Sequence, residues 1–193
     1  MSAAGACPGV AVAAQEPGGP PDPVPASAVQ GGRQAGKETS VDVRLAHLFE
    51  QPALRPAVAR LIHHEFWLDR PDVSADHLQA RLSAATGADA VPISRIALAD
   101  GALVGTVNLI DCDDDARTHL WPWLAAMVVV PAWRGRGIGS LLVRTLMDDA
   151  RRLGINQMFL GTDGPGFYRR LGAETHEQVR ADFVIMRLPV PAR

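Results

Sequence analysis

Two cysteines, Cys7 and Cys112, are all that these 193 residues contain. Cys7 falls in an irregular amino-terminal stretch, so no stabilising disulfide is expected. His and Cys form no cluster with metal-ligand spacing. The adjacent pair His63-His64 would point about 100° apart on a helix and does not converge on one ion. No apolar run approaches the ~20 residues that a bilayer span requires. The amino terminus lacks the basic segment of a secretory signal. These absences give the expectation of a cytoplasmic protein with no membrane partner and no metal. One-sided charge is missing too. The net charge is −2, with 21% charged residues, so no basic excess points to nucleic acid.

Residues 1–40 are dominated by Ala, Gly, Pro, Ser and Gln, with a stiff Pro20-Pro21-Asp22-Pro23-Val24-Pro25 run and a flexible Gly31-Gly32. Too little periodic apolar surface is present to offset the entropy of ordering. They are expected to be a disordered extension, leaving 41–193 as the domain.

Within the domain, Val41–Leu45 alternates as a half-buried strand does. From Pro52 to Trp67 the residues Leu54, Val58, Leu61, Ile62 and Phe66 mark one helical face. A second helix starts at Ser74, buries Leu78 and Leu82 and is expected to close at Gly87. Two apolar runs, Val91–Ala99 and Ala102–Ile110, flank Asp100-Gly101, a strong hairpin signal. An acidic loop follows at Asp111–Asp115, and then a buried strand from Trp123 to Val130. Short elements come after it: a strand at Gln157–Leu160, a helix at Pro165–Leu171 ended by Gly172, and a strand at Asp182–Leu188. Asp163 is expected to cap that helix through its side chain.

The chain is organised around Val128-Val129-Val130-Pro131-Ala132-Trp133-Arg134-Gly135-Arg136-Gly137-Ile138-Gly139-Ser140. It reads as a strand, a Gly/Arg-rich turn and the start of an amphipathic helix that runs to Gly154. The first turn of a helix leaves N–H groups unpaired and carries partial positive charge. Glycines at 135, 137 and 139 would let an anion approach the backbone, and Arg134 and Arg136 add charge. A dinucleotide fold needs Gly-x-Gly-x-x-Gly near an early strand, and a P-loop needs Gly-Lys-Ser/Thr. Neither pattern is present.

Arg134-x-x-Gly137-x-Gly139 resembles the pyrophosphate-binding signature of the GCN5-related N-acetyltransferase (GNAT) family, Gln/Arg-x-x-Gly-x-Gly/Ala. Gly166-Phe167-Tyr168-Arg169-Arg170-Leu171-Gly172-Ala173 resembles the family's second signature. The resemblance covers about residues 41–189, and the specific motifs lie between 123 and 173. It implies a mixed α/β (α+β) fold with a mostly antiparallel central sheet flanked by helices, in the order β-α-α-β-β-β-α-β-α-β(-β). It implies acetyl-CoA as co-substrate and direct acetyl transfer to a primary amine in a ternary complex. Carried onto this chain, Met127, Val128, Val129, Arg134, Gly135, Arg136, Gly137, Ile138, Gly139 and Ser140 would hold the cofactor. Val128 would give its backbone N–H to the oxyanion, and Tyr168 would protonate or hydrogen-bond the departing thiolate.

The family's frequent carboxylate on the strand before the turn has no counterpart in Trp123–Met127. Candidates for the general base are His119, Asp113–Asp115 and Glu65. That departure keeps a non-catalytic acyl-CoA-binding module open as the alternative. The acceptor would be a small-molecule amine or a peptide N-terminus, in a pocket formed by Trp67, Glu65, Asp69, Trp121, Trp123 and the aspartates. A homodimer is compatible with the pattern.

Overall fold

The structure, a computed structural model, describes residues 42–192 apart from Pro71. The expected disordered extension over residues 1–40 lies outside the described residues. Seven strands, β1 (Val43–His47), β2 (Ile93–Ala99), β3 (Ala102–Ile110), β4 (Trp123–Val129), β5 (Gln157–Thr162), β6 (Glu174–Arg180) and β7 (Phe183–Pro189), form one sheet ordered β1-β2-β3-β4-β5-β7-β6. All neighbours are antiparallel except β4 and β5, which run parallel. The α-helices are α1 (Arg55–Phe66), α2 (Ala75–Leu82), α3 (Ile138–Arg152) and α4 (Pro165–Arg169). The fold class is as the resemblance implies, with the optional final strand present.

Local chemistry explains most boundaries. Asp100 and Gly101 both take positive φ, 50° and 81°, as a two-residue I′ hairpin requires. A 3₁₀ turn, Pro52–Leu54, leads into α1. The Ser74 hydroxyl accepts the His77 N–H at 3.1 Å and caps α2, with Asp76 in the first turn. Gly87 does not close that helix. α2 stops at Leu82 with Ser83 as its C-cap, and Ala84 and Ala85 add only short-range turn bonds.

The two faces of the sheet bury different helices. Val58, Ile62, Leu78 and Leu82 from α1 and α2 pack on Ile96, Leu98 and Val128. On the other face Leu142, Val143 and Leu146 of α3 pack on Ile93, Val107, Leu109 and Met127. Strand β6 is exposed at every residue.

An ion pair between Arg95 and Asp149 ties α3 to the sheet. Arg95 donates through Nε and Nη2 to the two Asp149 carboxylate oxygens, at 2.6 and 2.7 Å. The Asp149 side chain is 4% exposed. Replacing Asp149 with Ala strands the guanidinium in a poorly solvated site. Asp149→Ala is therefore expected to cost about 3 kcal/mol of stability, measured as the loss in unfolding free energy in urea. A cost under about 1 kcal/mol would mean that water reaches Arg95 freely.

Candidate functional site

Strand β4 is joined to β5 by a single registered pair, Trp123 opposite Phe159. Its carboxyl half has no ladder partner on that side. On the other side β4 pairs with β3, with a register shift between Thr106 and Asn108. Ala126 has φ of 47° at this irregularity. Val129 is opposite Gly105, and Val128 is opposite Thr106.

This register decides which amides face the gap. Val130 donates its N–H to the Val104 carbonyl at 2.9 Å. Backbone N–H and C=O groups alternate sides along a strand. Val128, two residues earlier, therefore turns its amide toward β3, while Met127 and Val129 turn theirs to the open side. The Val129 carbonyl, on that open side, accepts the Arg134 Nε–H at 2.9 Å. The expectation that Val128 supplies the oxyanion donor is corrected here: its N–H is directed into the sheet. Met127 and Val129 are the residues whose amides point to the open side.

A 3₁₀ turn, Pro131–Trp133, carries the chain from β4 to the start of α3. Gly135 and Gly137 have φ of 74° and 79°, a region costly for side chains with a Cβ. Gly137 is the N-cap of α3. A Cβ at either position would meet nothing within 4 Å, so both positions face open space. Among the described residues, no protein acceptor takes the N–H of any residue from Gly135 to Ser140. A row of open amides at the positive end of a 15-residue helix has the geometry of an anion cradle.

Gly139 has a different reason. A Cβ there would stand 3.3 Å from Phe167 Cζ and 3.6 Å from Met127 Sδ. This glycine seats the Phe167 ring against the first turn of α3. The cleft beside the cradle is walled by Met127, Val128, Val129, Arg134, Gly135, Gly137, Ile138, Gly139 and Ser140. All the cofactor-binding residues read from the sequence are there except Arg136, whose guanidinium stacks on Trp133, 4.7 Å from the ring centroid. Glu65, Trp133, Phe167 and Arg170 complete the wall. Trp133 lies one residue before the first signature and Arg170 at an unspecified position of the second, so residue type alone does not mark them.

Tyr168 is fully buried, packed edge-on against Phe167 with 4.9 Å between centroids. Among the described residues its hydroxyl has no hydrogen-bond partner. Burial, aided by the Asp163 carboxylate, pushes its ionisation far above the ordinary phenol range. It stays a protonated donor. A buried hydroxyl without a partner is costly unless something occupies its reach. Asp163 does not cap α4. The N-cap is Gly164, without a side-chain bond, and the Gly164 N–H goes instead to Thr162 Oγ1 at 2.9 Å.

The other base candidates lie elsewhere. His119 is exposed, close enough to Glu177 of β6 to act on its charge, and does not line the cleft. The Asp114 carboxylate accepts the Ala116 N–H at 2.9 Å and pairs with Arg117 at 2.5 Å, which also clamps Glu177. The acidic loop is thus tied to β6. The expected aromatic acceptor pocket does not assemble. Trp67 is buried beside Val128 on the α1 face, and Trp123 is buried with Phe159 and Phe183. Trp121 is exposed and donates to Asp111 at 3.0 Å. Glu65 alone among the candidate carboxylates lines the cleft.

Comparison with known proteins agrees with this geometry. Residues 59–173 match the model of the acetyltransferase (GNAT) family. No curated protein matches the chain. Among solved structures, yncA from Salmonella typhimurium, solved with its cofactor acetyl-CoA, superposes with a TM-score of 0.57 at 22% identity, covering 80% of this chain and 96% of that one. The aminoglycoside 6'-N-acetyltransferase from Enterococcus faecium gives 0.59 at 18% identity, over 78% and 98%. The GNAT-family N-acetyltransferase YhbS from Escherichia coli, in complex with CoA, gives 0.59 at 16% identity, over 81% and 86%. Each shares the fold of this chain.

Proposed function

The chain belongs to the acetyltransferase (GNAT) family, and from that premise we propose that it is an acetyl-CoA-dependent N-acetyltransferase acting on a primary amine by direct transfer in a ternary complex. The observation that carries this reading is the row of unpaired amides at Gly135–Ser140 beside the half-open edge of β4. Acetyl-CoA supplies an activated acyl thioester when bound there.

The chain's own residues do the rest. The amides of the cradle hold the diphosphate. The backbone of Met127 and Val129 pairs with the pantetheine arm, as a neighbouring strand would. This fixes the thioester carbonyl beside β4, where proximity replaces a bimolecular encounter. The Met127 N–H donates to the carbonyl oxygen as negative charge grows on it during attack by the amine. The new C–N bond forms, the C–S bond breaks, and Tyr168 gives its hydroxyl proton to the leaving sulfur. The amine arrives as the free base; after attack its nitrogen sheds one proton to water, and water returns one to the Tyr168 oxygen, so amide and free thiol are left with the phenol restored.

Transfer of an activity named for a structural neighbour makes amino sugars the first acceptors to assay. Thiol release from acetyl-CoA would be followed across amino sugars, small polyamines and peptide N-termini. Turnover on at least one amine is the expected result. Calorimetric binding of coenzyme A without thiol release on any of them would favour the acyl-CoA-binding module, a reading motivated by the absence of a carboxylate on β4.

A further inference from the structure

The signature arginine and the cleft's other cations have different neighbours, and the difference assigns them different work. We propose, resting on the acetyl-CoA reading above, that Arg170 supplies the side-chain charge for the cofactor's diphosphate, and that Arg134 is a positioning residue which Glu65 holds away from it.

The Arg134 guanidinium is already committed at two points. Its Nε donates to the Val129 carbonyl at 2.9 Å, and its Nη2 donates to Glu65 Oε1 at 2.6 Å. The two side chains are only 24% and 13% exposed. Drawing Arg134 toward a phosphate would leave Glu65 charged, poorly solvated and without its counterion, while also uncapping the end of β4. The bond pattern is that of a staple. It ties the penultimate residue of α1 and the last residue of β4 to the residue just before Gly135, where the open amides begin. The planar fork of an arginine can hold two acceptors at once, which a lysine cannot.

Arg136 is turned onto Trp133 and is not in the wall. Arg170 is in the wall, is exposed and has no carboxylate partner among the described residues. Its position follows from Gly139. Because that residue lacks a Cβ, Phe167 presses against the first turn of α3. The Arg170 guanidinium lies 6.0 Å over the Phe167 ring. The stack of Gly139, Phe167 and Arg170 thus delivers an uncompensated cation to the end of α3 where the amides are open.

The test uses the full chain, calorimetry with coenzyme A and with 3'-dephospho-coenzyme A, and steady-state kinetics. Arg170→Ala is expected to weaken both ligands by about 30-fold, and Arg170→Lys by no more than about 3-fold, the loss of one charge-assisted phosphate contact. Loss confined to coenzyme A would place Arg170 on the 3'-phosphate and overturn the assignment. Unchanged affinity for both would overturn it as well. Glu65→Ala is expected to raise the KM for acetyl-CoA about 5- to 10-fold with kcat within about 2-fold, because a loosened loop affects ligand capture rather than the transition state. Glu65→Gln, which keeps an acceptor for Arg134, should recover most of that loss. Tighter coenzyme binding in Glu65→Ala would show that Arg134 is a phosphate ligand held in check, contrary to the proposal. Collapse of kcat with KM unchanged would make Glu65 a participant in the chemistry instead. A wild-type protein that binds no coenzyme A sinks the acetyltransferase reading itself, whereas normal wild-type binding with an indifferent Arg170→Ala sinks this inference alone.

Discussion

Gly137→Val is expected to weaken coenzyme A binding by at least about 100-fold, which is about 2.7 kcal/mol. Two costs combine. Gly137 sits at φ 79°, where a β-branched residue is strained by roughly 1–3 kcal/mol. The chain can escape that strain by rotating the peptide, but this turns the amides of the cradle away from their common focus. If the backbone holds, the branched side chain stands in the open space beside the cradle, where none of the described residues lies within 4 Å and where the proposed function puts the diphosphate. Gly137→Asn separates the two costs, because Asn tolerates the left-handed region better than Val. It should keep the melting temperature near that of wild type and still bind coenzyme A more weakly. Calorimetric titration checks both variants. Wild-type affinity in Gly137→Val would remove the cradle from the account.

Tyr168→Phe should change activity and stability in opposite directions. The hydroxyl is buried without a partner, so its removal relieves a desolvated polar group and is expected to raise stability by about 1 kcal/mol. For a domain of this size that is a rise in Tm of roughly 2–4 °C. At the same time kcat should fall by about 100-fold, the contribution of a positioned proton donor. The KM for acetyl-CoA should hardly move, because the cradle is untouched. The pH profile supplies a further check. Burial moves the phenol above its ordinary pKa of about 10, so Tyr168 remains a donor through neutral and mildly alkaline pH. Any fall in wild-type rate below about pH 10 must come from another group. A Tyr168→Phe enzyme with wild-type kcat would leave the hydroxyl without a catalytic purpose.

The parts of the fold that the sequence made legible are those where one physical signal dominates. Helix α3 buries Ile138, Leu142, Val143 and Leu146 on one stripe, and that spacing is plain in the residues. The Asp100-Gly101 hairpin and the Ser74 cap are equally local. Strand β6 carries no such signal, because Glu174–Arg180 is exposed at every residue and shows no apolar alternation. The stop at Gly87 was wrong because α2 ends through Ser83, in ordinary helical geometry, without needing a left-handed residue.

Within the site, type and order were readable but direction was not. Which of Met127, Val128 and Val129 faces the gap depends on the register with β3, shifted near Ala126, and no composition or spacing reports that. Thr162 rather than Asp163 takes the Gly164 amide, a choice between adjacent acceptors made by loop geometry. Glu65 was legible as a nearby acid. Its pairing with Arg134, 69 positions along the chain, was not, because only the packing of α1 on the sheet brings the two together.

The lone rung between Trp123 and Phe159 divides the sheet into two antiparallel leaves, one of four strands and one of three. Each leaf is internally laced, and the seam between them is nearly unlaced. Under the proposed function, a long, amide-bearing molecule lying along that seam would supply the missing lacing, and occupancy is expected to stiffen the sheet.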